Sequence, residues 1–290
     1  MSIFNTITFK SHDGLTLFTR DYAAISGTAK LPVICIHGLT RNSADFEEFA
    51  PWVASLGHRV LAIDVRGRGK SAYDPNPANY NPYIYTRDIN TLLHDLGIAR
   101  AIFVGTSMGG IIIMTLALQN LRLVGAAILN DVGPVLSPRG LQRIAGYAGR
   151  SKLVSSWIEA AEYVQYINQS AFPKNTPEDW LKFAKRTFVE DSKGHLVIQY
   201  DANIMRALRK KNFRYNKFIA KLAFMRLARY RPTLLVRGAL SDIIEASQLQ
   251  IMQVSAPKMQ YVEIPDVGHA PTLMELEAQF AIERFLSQIG

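Results

Sequence analysis

Residues 103–110 read FVGTSMGG. A glycine inside regular structure costs about 0.5–1 kcal/mol relative to alanine, so Gly105, Gly109 and Gly110, clustered within six residues, need a reason. The stretch follows an apolar strand-like run, RAIFVGT (100–106), and runs into an apolar helical one, GIIIMTLALQN (110–120). Gly105-x-Ser107-x-Gly109 in that setting is the spacing of a tight strand-to-helix turn. The serine at such a turn takes a strained backbone conformation, and side chains two positions before and after it would collide. The bend would lift the Ser107 hydroxyl above the carboxyl ends of the strands, where a helix N-terminus favours developing negative charge. A phosphate loop is excluded, since no Lys-Ser/Thr follows the glycines. The RGRGKS stretch (66–71) matches only the tail of such a loop, because Asp64 stands where its first glycine would be.

Outward from this turn the first 132 residues alternate strand-like and helix-like segments. Strands are expected at 3–10, 15–23, 31–37, 59–65, 100–106 and 123–130, and helices around 43–56, 84–97 and 109–120. The later strands are near-continuous apolar runs, as in parallel strands buried on both faces. The fold class is therefore α/β: a doubly wound, mostly parallel sheet with right-handed crossovers. From about 134 to 230 the pattern turns helical; in TPEDWLKFAKRTFVED, Thr176 is placed to cap, Pro177 to open and acids to fill the first turn. The alternation then resumes with strands at 233–239 and 259–265 and helices at 245–254 and 272–288. The expected organisation is a core of residues 1–133 and 231–290, carrying an all-helical insertion, 134–230, as a cap.

A chain of 290 residues with 48% hydrophobic and 20% charged residues has the composition of an ordinary globular protein. No apolar run approaches the roughly 20 residues of a membrane span, and the first residues lack a basic start followed by an apolar run, so a cytoplasmic protein is expected. The lone Cys35 lies in LPVICIHG and reads as a small buried hydrophobe. The net charge of +9 sits in one block: residues 134–230 hold 18 Lys and Arg against 7 Asp and Glu. The basic, aromatic-interleaved RALRKKNFRYNK (206–217) has no nucleic-acid-binding fold around it, so no nucleic-acid partner is expected.

A serine hydroxyl needs a base, and the base an orienting acid. Of the histidines at 12, 37, 58, 94, 195 and 269, His269 in PDVGHAPTL follows the last strand in a Gly-flanked loop and lies after Ser107 in chain order. The others read as hairpin, strand-end, helix-end, helix-face and insertion residues, suited to packing, capping or solvent. Two acids follow strands: Asp242 in LLVRGALSDII, the expected partner of His269, and Asp131 in AAILNDVGP, the alternative. An oxyanion would be met by the backbone N–H of Met108, after the serine, and of Leu39, in the loop after the third strand.

Taken together, HGL (37–39), DVRGRGKS (64–71), VGTSMGG (104–110), GALSD (238–242) and VGHA (267–270) resemble the α/β-hydrolase superfamily, in its order and across residues 33–270. The resemblance implies Ser107 as nucleophile, Asp242 as acid and His269 as base, the inserted block as a cap over the site, and Asp64, Arg66 and Gly67 as determinants of loop structure. It implies no cofactor and no metal. Dehalogenases and epoxide hydrolases of that superfamily carry an aspartate nucleophile, which Ser107 is not.

The expected activity is hydrolysis of small carboxylic esters through an acyl-enzyme. C–C bond hydrolysis or lactone opening on the same residues is the alternative, and a slow-turnover ligand sensor the reading from another class. Cap aromatics among Tyr147, Trp157, Tyr163, Tyr166, Phe172, Trp180 and Phe183 would line an apolar pocket for the small-molecule substrate, while most pack the cap itself. Arg139 and Arg143 are the arginines to test for attraction of anionic substrates, against the simpler reading of a solvated basic surface.

Overall fold

A computed structural model describes residues 4–25, 30–150, 154–206 and 216–289. The basic run at 206–217 lies almost wholly outside the described residues. The chain opens with an antiparallel hairpin, β1 (Asn5–Lys10) and β2 (Thr16–Tyr22), and continues through β3 (Val33–Ile36), α1 (Phe49–Ser55), β4 (Val60–Asp64), α2 (Pro82–Asp95), β5 (Ala101–Thr106), α3 (Met108–Gln119) and β6 (Val124–Asn130). Then come α4 (Pro138–Tyr147), α5 (Trp157–Asn168), α6 (Pro177–Thr187), β7 (Phe188–Glu190), β8 (Leu196–Ile198) and α7 (Lys217–Tyr230). β9 (Thr233–Gly238), α8 (Ala246–Ser255), β10 (Gln260–Ile264) and α9 (Leu276–Leu286) complete it.

Eight strands form one sheet in the order β1-β2-β4-β3-β5-β6-β9-β10. β2 pairs antiparallel with β1 and β4, and the remaining neighbours are parallel. The continuous apolar strands read as they do because alternate side chains serve two cores. Ile34 and Ile36 of β3, with Phe103 of β5, pack on the face covered by α2, α3 and α7. Val33, Cys35, Ile102 and Val104 pack on the opposite face against α1 and α9. Asn81 caps α2 through two backbone amides ahead of Pro82, and Thr176 and Asp179 form the reciprocal cap of α6 that the sequence suggests. No helix among the described residues is long and apolar enough to cross a membrane.

The block between β6 and β9 departs from the expected all-helical cap in two ways. Val189 of β7 pairs with Val197 of β8 in a short antiparallel hairpin, which closes onto α5 and α6 around Val164, Trp180, Ala184, Phe188 and Leu196. β-Branched and aromatic residues around the turn Asp191–Gly194 favour that hairpin. The second departure is α7, which buries Ala223, Phe224, Leu227 and Ala228 in the same apolar layer as α3. Arg226 Nε also donates to the Ala117 carbonyl of α3 at 2.9 Å, so α7 packs directly on the helix that follows Ser107.

Candidate active site

Ser107 connects β5 to α3 with φ 51° and ψ −109°, a conformation that costs a non-glycine residue of order 1–3 kcal/mol. Its amide donates to the Asn130 carbonyl at the end of β6, 3.0 Å away. The flanking glycines make the bend possible. A Cβ on Gly109 would stand 2.1 Å from the Ile36 carbonyl oxygen, and one on Gly105 would stand 2.5 Å from the Gly109 and Gly110 backbone.

His269, in the loop after β10, brings Nε2 to 2.9 Å from Ser107 Oγ. Its Nδ1 lies 2.8 Å from Asp131 Oδ2. The carboxylate at the histidine is thus Asp131, not the expected Asp242. Asp131 follows β6 with φ 51°, is fully buried, and accepts from Ser241 Oγ at 2.6 Å and from the Gly238 amide at 3.3 Å. His269 Nδ1–H donates to this carboxylate, leaving Nε2 to accept from the serine hydroxyl. In GALSD it is therefore Ser241 that bonds Asp131, while Asp242 makes its hydrogen bonds elsewhere. Asp242 pairs with Arg143 of α4 at 2.6 and 2.8 Å. Burial raises its carboxyl, but the hydrogen bonds and charge of Arg143 outweigh that and hold it below the ordinary carboxylate value.

Physical reasons for the exchange lie in the sheet. β6 is the direct neighbour of β5, and β9 stands beyond it, so the residue after β6 is one strand from Ser107. Asp242 comes four residues after the end of β9 and faces α4. Sequence reasoning did not single out Ser241 or Asn130. Asn130 Nδ2 donates to Thr106 Oγ1 at 3.0 Å and to the Pro271 carbonyl at 2.8 Å, tying the serine turn to the histidine loop. A polar Asn-Asp pair ending an otherwise apolar strand was the available signal.

The loop after β3 is held from three sides. His37 Nδ1–H donates to the Gly38 carbonyl (2.7 Å), and His37 Nε2 accepts from the Val65 amide (3.1 Å). Burial pushes the His37 imidazole down to about 4, so it is neutral there. Arg68 Nε donates to the Leu39 carbonyl at 3.0 Å, and Asp64 accepts from the Ser43 amide at 2.6 Å. Leu39 lines the cavity beside Ser107, and Met108 is the first residue of α3.

A cavity of about 140 Å3 opens at Ser107 and His269. Its apolar wall includes Tyr147, Tyr163, Phe172 and Phe183, and its rim Arg41 and Arg186. Trp180 is instead buried between Phe172 and Phe183, and Tyr166 is exposed. Neither Arg139 nor Arg143 reaches the cavity. Arg41 is held by Asp45 (3.0 Å), Thr187 and the face of Phe183 (4.2 Å), and Arg186 by Glu47 and Glu48 at 2.7 and 2.9 Å. Of the histidines only His269 lines the cavity; His58 binds the Leu31 carbonyl (2.8 Å), and His12, His94 and His195 sit beside acids.

A serine turn, a histidine loop and a buried acid at the carboxyl ends of a mostly parallel sheet define a class, and the chain belongs to it: residues 32–275 match the model of the alpha/beta hydrolase fold family. It is 35% identical over 260 residues, 86% of each chain, to a 3-hydroxybutyrate-oligomer hydrolase of Cupriavidus necator. It is 26% identical to an sn-1-specific diacylglycerol lipase, ABHD11, of Danio rerio, covering 82% of this chain and 72% of that one. Among solved structures, an alpha/beta hydrolase from Novosphingobium aromaticivorans superposes with a TM-score of 0.92 at 38% identity over the full length of both chains.

Proposed function

We propose that the protein is a serine hydrolase of small carboxylic esters, with Ser107 as nucleophile, His269 as base and Asp131 as orienting acid. The observation that carries this reading is the unbroken Ser107–His269–Asp131 hydrogen-bond chain, 2.9 and 2.8 Å, with its serine open to a cavity. His269 Nε2 takes the hydroxyl proton as Ser107 Oγ attacks the ester carbonyl. The resulting oxyanion is met by the Leu39 amide, in the loop after β3, and the Met108 amide, at the N-terminus of α3. His269 then protonates the leaving alcohol, and water, activated by the same nitrogen, releases the acid. Asp131 fixes the tautomer and stabilises the imidazolium.

The inserted segment acts as the cap, its aromatic residues shaping the acyl site. A cavity of about 140 Å3 is close to the roughly 150 Å3 that accommodates benzene in an engineered core, which supports short-chain or single-ring acyl groups. The resemblance to a 3-hydroxybutyrate-oligomer hydrolase over 86% of the chain supports oxyester bonds between short hydroxyacids as the substrate class. A panel of p-nitrophenyl esters from acetate to dodecanoate, 3-hydroxybutyrate dimers and trimers, lactones and β-diketones tests it. Turnover should favour the short esters and hydroxybutyrate oligomers; preferential cleavage of the β-diketones or lactones would replace the ester reading.

A further inference from the structure

The two arginines of DVRGRGKS differ in one respect. Arg66 is fully buried and surrounded by carboxylates: Asp74 at 2.5 Å, Asp88 at 2.6 Å and Asp13 at 2.8 Å. Arg68 is equally buried, yet no ion pair joins it to a carboxylate among the described residues. The acid beside it in sequence, Asp64, is taken up by the Ser43 and Lys70 amides at 2.6 and 2.8 Å, and Asp201 by the Tyr80 hydroxyl at 2.6 Å. What surrounds the Arg68 guanidinium is neutral: the carbonyls of Leu39 (3.0 Å) and Arg66 (2.8 Å), the Tyr85 hydroxyl (2.9 Å) and Met108 Sδ (3.5 Å). The rings of Tyr80 and Tyr85 lie 5.6 and 5.2 Å from its central carbon.

A buried cation without a counter-ion is costly and persists where its field is used. Two of the residues this guanidinium bonds, Leu39 through its carbonyl and Met108 through its sulfur, are those whose amides meet the oxyanion in the proposed mechanism. Arg68 itself does not line the cavity, so substrate does not contact it. We infer that Arg68 is a positioning residue of the oxyanion site: it fixes the Leu39 and Met108 segments and places an uncompensated positive charge behind them. The inference rests on the serine-hydrolase reading. Negative charge develops on the carbonyl oxygen only in the transition state, so the field there raises kcat and leaves substrate binding nearly unchanged.

The test compares the parent with Arg68→Met, which removes charge and donors, Arg68→Gln, which keeps a neutral donor, and Arg68→Lys, which keeps a cation. Each is checked for parental circular dichroism, and Gln is read if Met does not fold. Two ligands are titrated: a trifluoromethyl ketone, whose serine adduct carries an anionic oxygen, and the matching carboxamide, which is neutral. The neutral variants should lose roughly ten- to a hundredfold in kcat, by analogy with a lost oxyanion donor. They should lose a similar factor in trifluoromethyl ketone affinity, with KM and carboxamide affinity within about twofold, and Lys should recover part of both. Parental kcat and ketone affinity in the neutral variants overturn the inference, as do equal losses for both ligands, which assign Arg68 to loop structure alone. Fluorophosphonate labelling of Ser107 in the parent separates the two levels: without it the serine-hydrolase reading fails, and the role of Arg68 with it.

Discussion

Exchanging one oxygen for nitrogen at Asp131 should disable the protein while leaving its fold in place. Asp131 is fully buried, with Oδ1 accepting from the Gly238 amide and Oδ2 from Ser241 Oγ and His269 Nδ1. In Asp131→Asn the amide oxygen must stay on the Gly238 side, because a backbone N–H faces it there. The new NH2 then points at His269 Nδ1 and can only donate, which forces the proton onto Nε2, the nitrogen that must accept from Ser107. Ser241 accommodates the change by rotating its hydroxyl to accept. The wrong tautomer in a comparable triad lowers kcat by about 10⁴, or roughly 5 kcal/mol of transition-state stabilisation at 1.36 kcal/mol per tenfold. Asp242→Asn breaks an ion pair to Arg143 whose side chains are 18% and 24% exposed. That change should cost roughly 1–3 kcal/mol of stability and no more than a few-fold in kcat. Steady-state hydrolysis of p-nitrophenyl acetate by both variants, with thermal melts alongside, measures the contrast. A larger kcat loss in Asp242→Asn than in Asp131→Asn would refute the assignment of the acid and the tautomer argument with it.

Three further outcomes follow from the same geometry. Gly109→Ala would press a methyl group against the Ile36 carbonyl at 2.1 Å; a loss of about 2–3 kcal/mol in urea-unfolding stability is expected, and a loss below 0.5 kcal/mol would show that the turn is not tight. Burial holds His37 down to about 4 in the fold against 6.5 in the free side chain, so the unfolded chain binds more protons between those values. Its contribution is therefore full above about pH 6.5 and falls by about 2 kcal/mol between pH 7 and 5. His58, also lowered by burial, acts in the same direction, and His37→Gln should flatten the curve by most of its own share; an unchanged pH slope would contradict this. Finally, Arg139→Ala and Arg143→Ala should leave the ratio of kcat/KM for anionic over neutral esters unchanged, since neither side chain reaches the cavity. A drop in that ratio would restore the basic insertion to a role in substrate choice.

Much of this fold is legible from residue order because local rules decide it. Apolar runs without alternation imply strands with two covered faces, and Gly105 and Gly109 imply a bend whatever lies around them. His269 is legible because a Gly-flanked loop after the final strand has one destination. The acid is different in kind. Asp131 and Asp242 both follow strands, and choosing between them requires knowing that β6 lies beside β5 and that Asp131 adopts a positive φ. Arg143, near the start of the insertion, is spent on Asp242 through a contact 99 residues away in sequence. The hairpin β7–β8 escapes a helical reading because each strand has only three residues. The sharing of α7 with the core depends on Phe224 and Leu227 meeting α3, which no local pattern encodes.

We propose that Ser107, activated by His269 and Asp131, carries the acyl group. Rapid acid quench of the protein mixed with p-nitrophenyl acetate, followed by peptide mass spectrometry, observes that intermediate directly. An added acetyl group is expected on the peptide containing Ser107, its build-up matching the p-nitrophenol burst, with its absence and loss of turnover in a folded Ser107→Ala variant. An acetyl group on another residue that turns over at the catalytic rate, or parental turnover in Ser107→Ala, would contradict it.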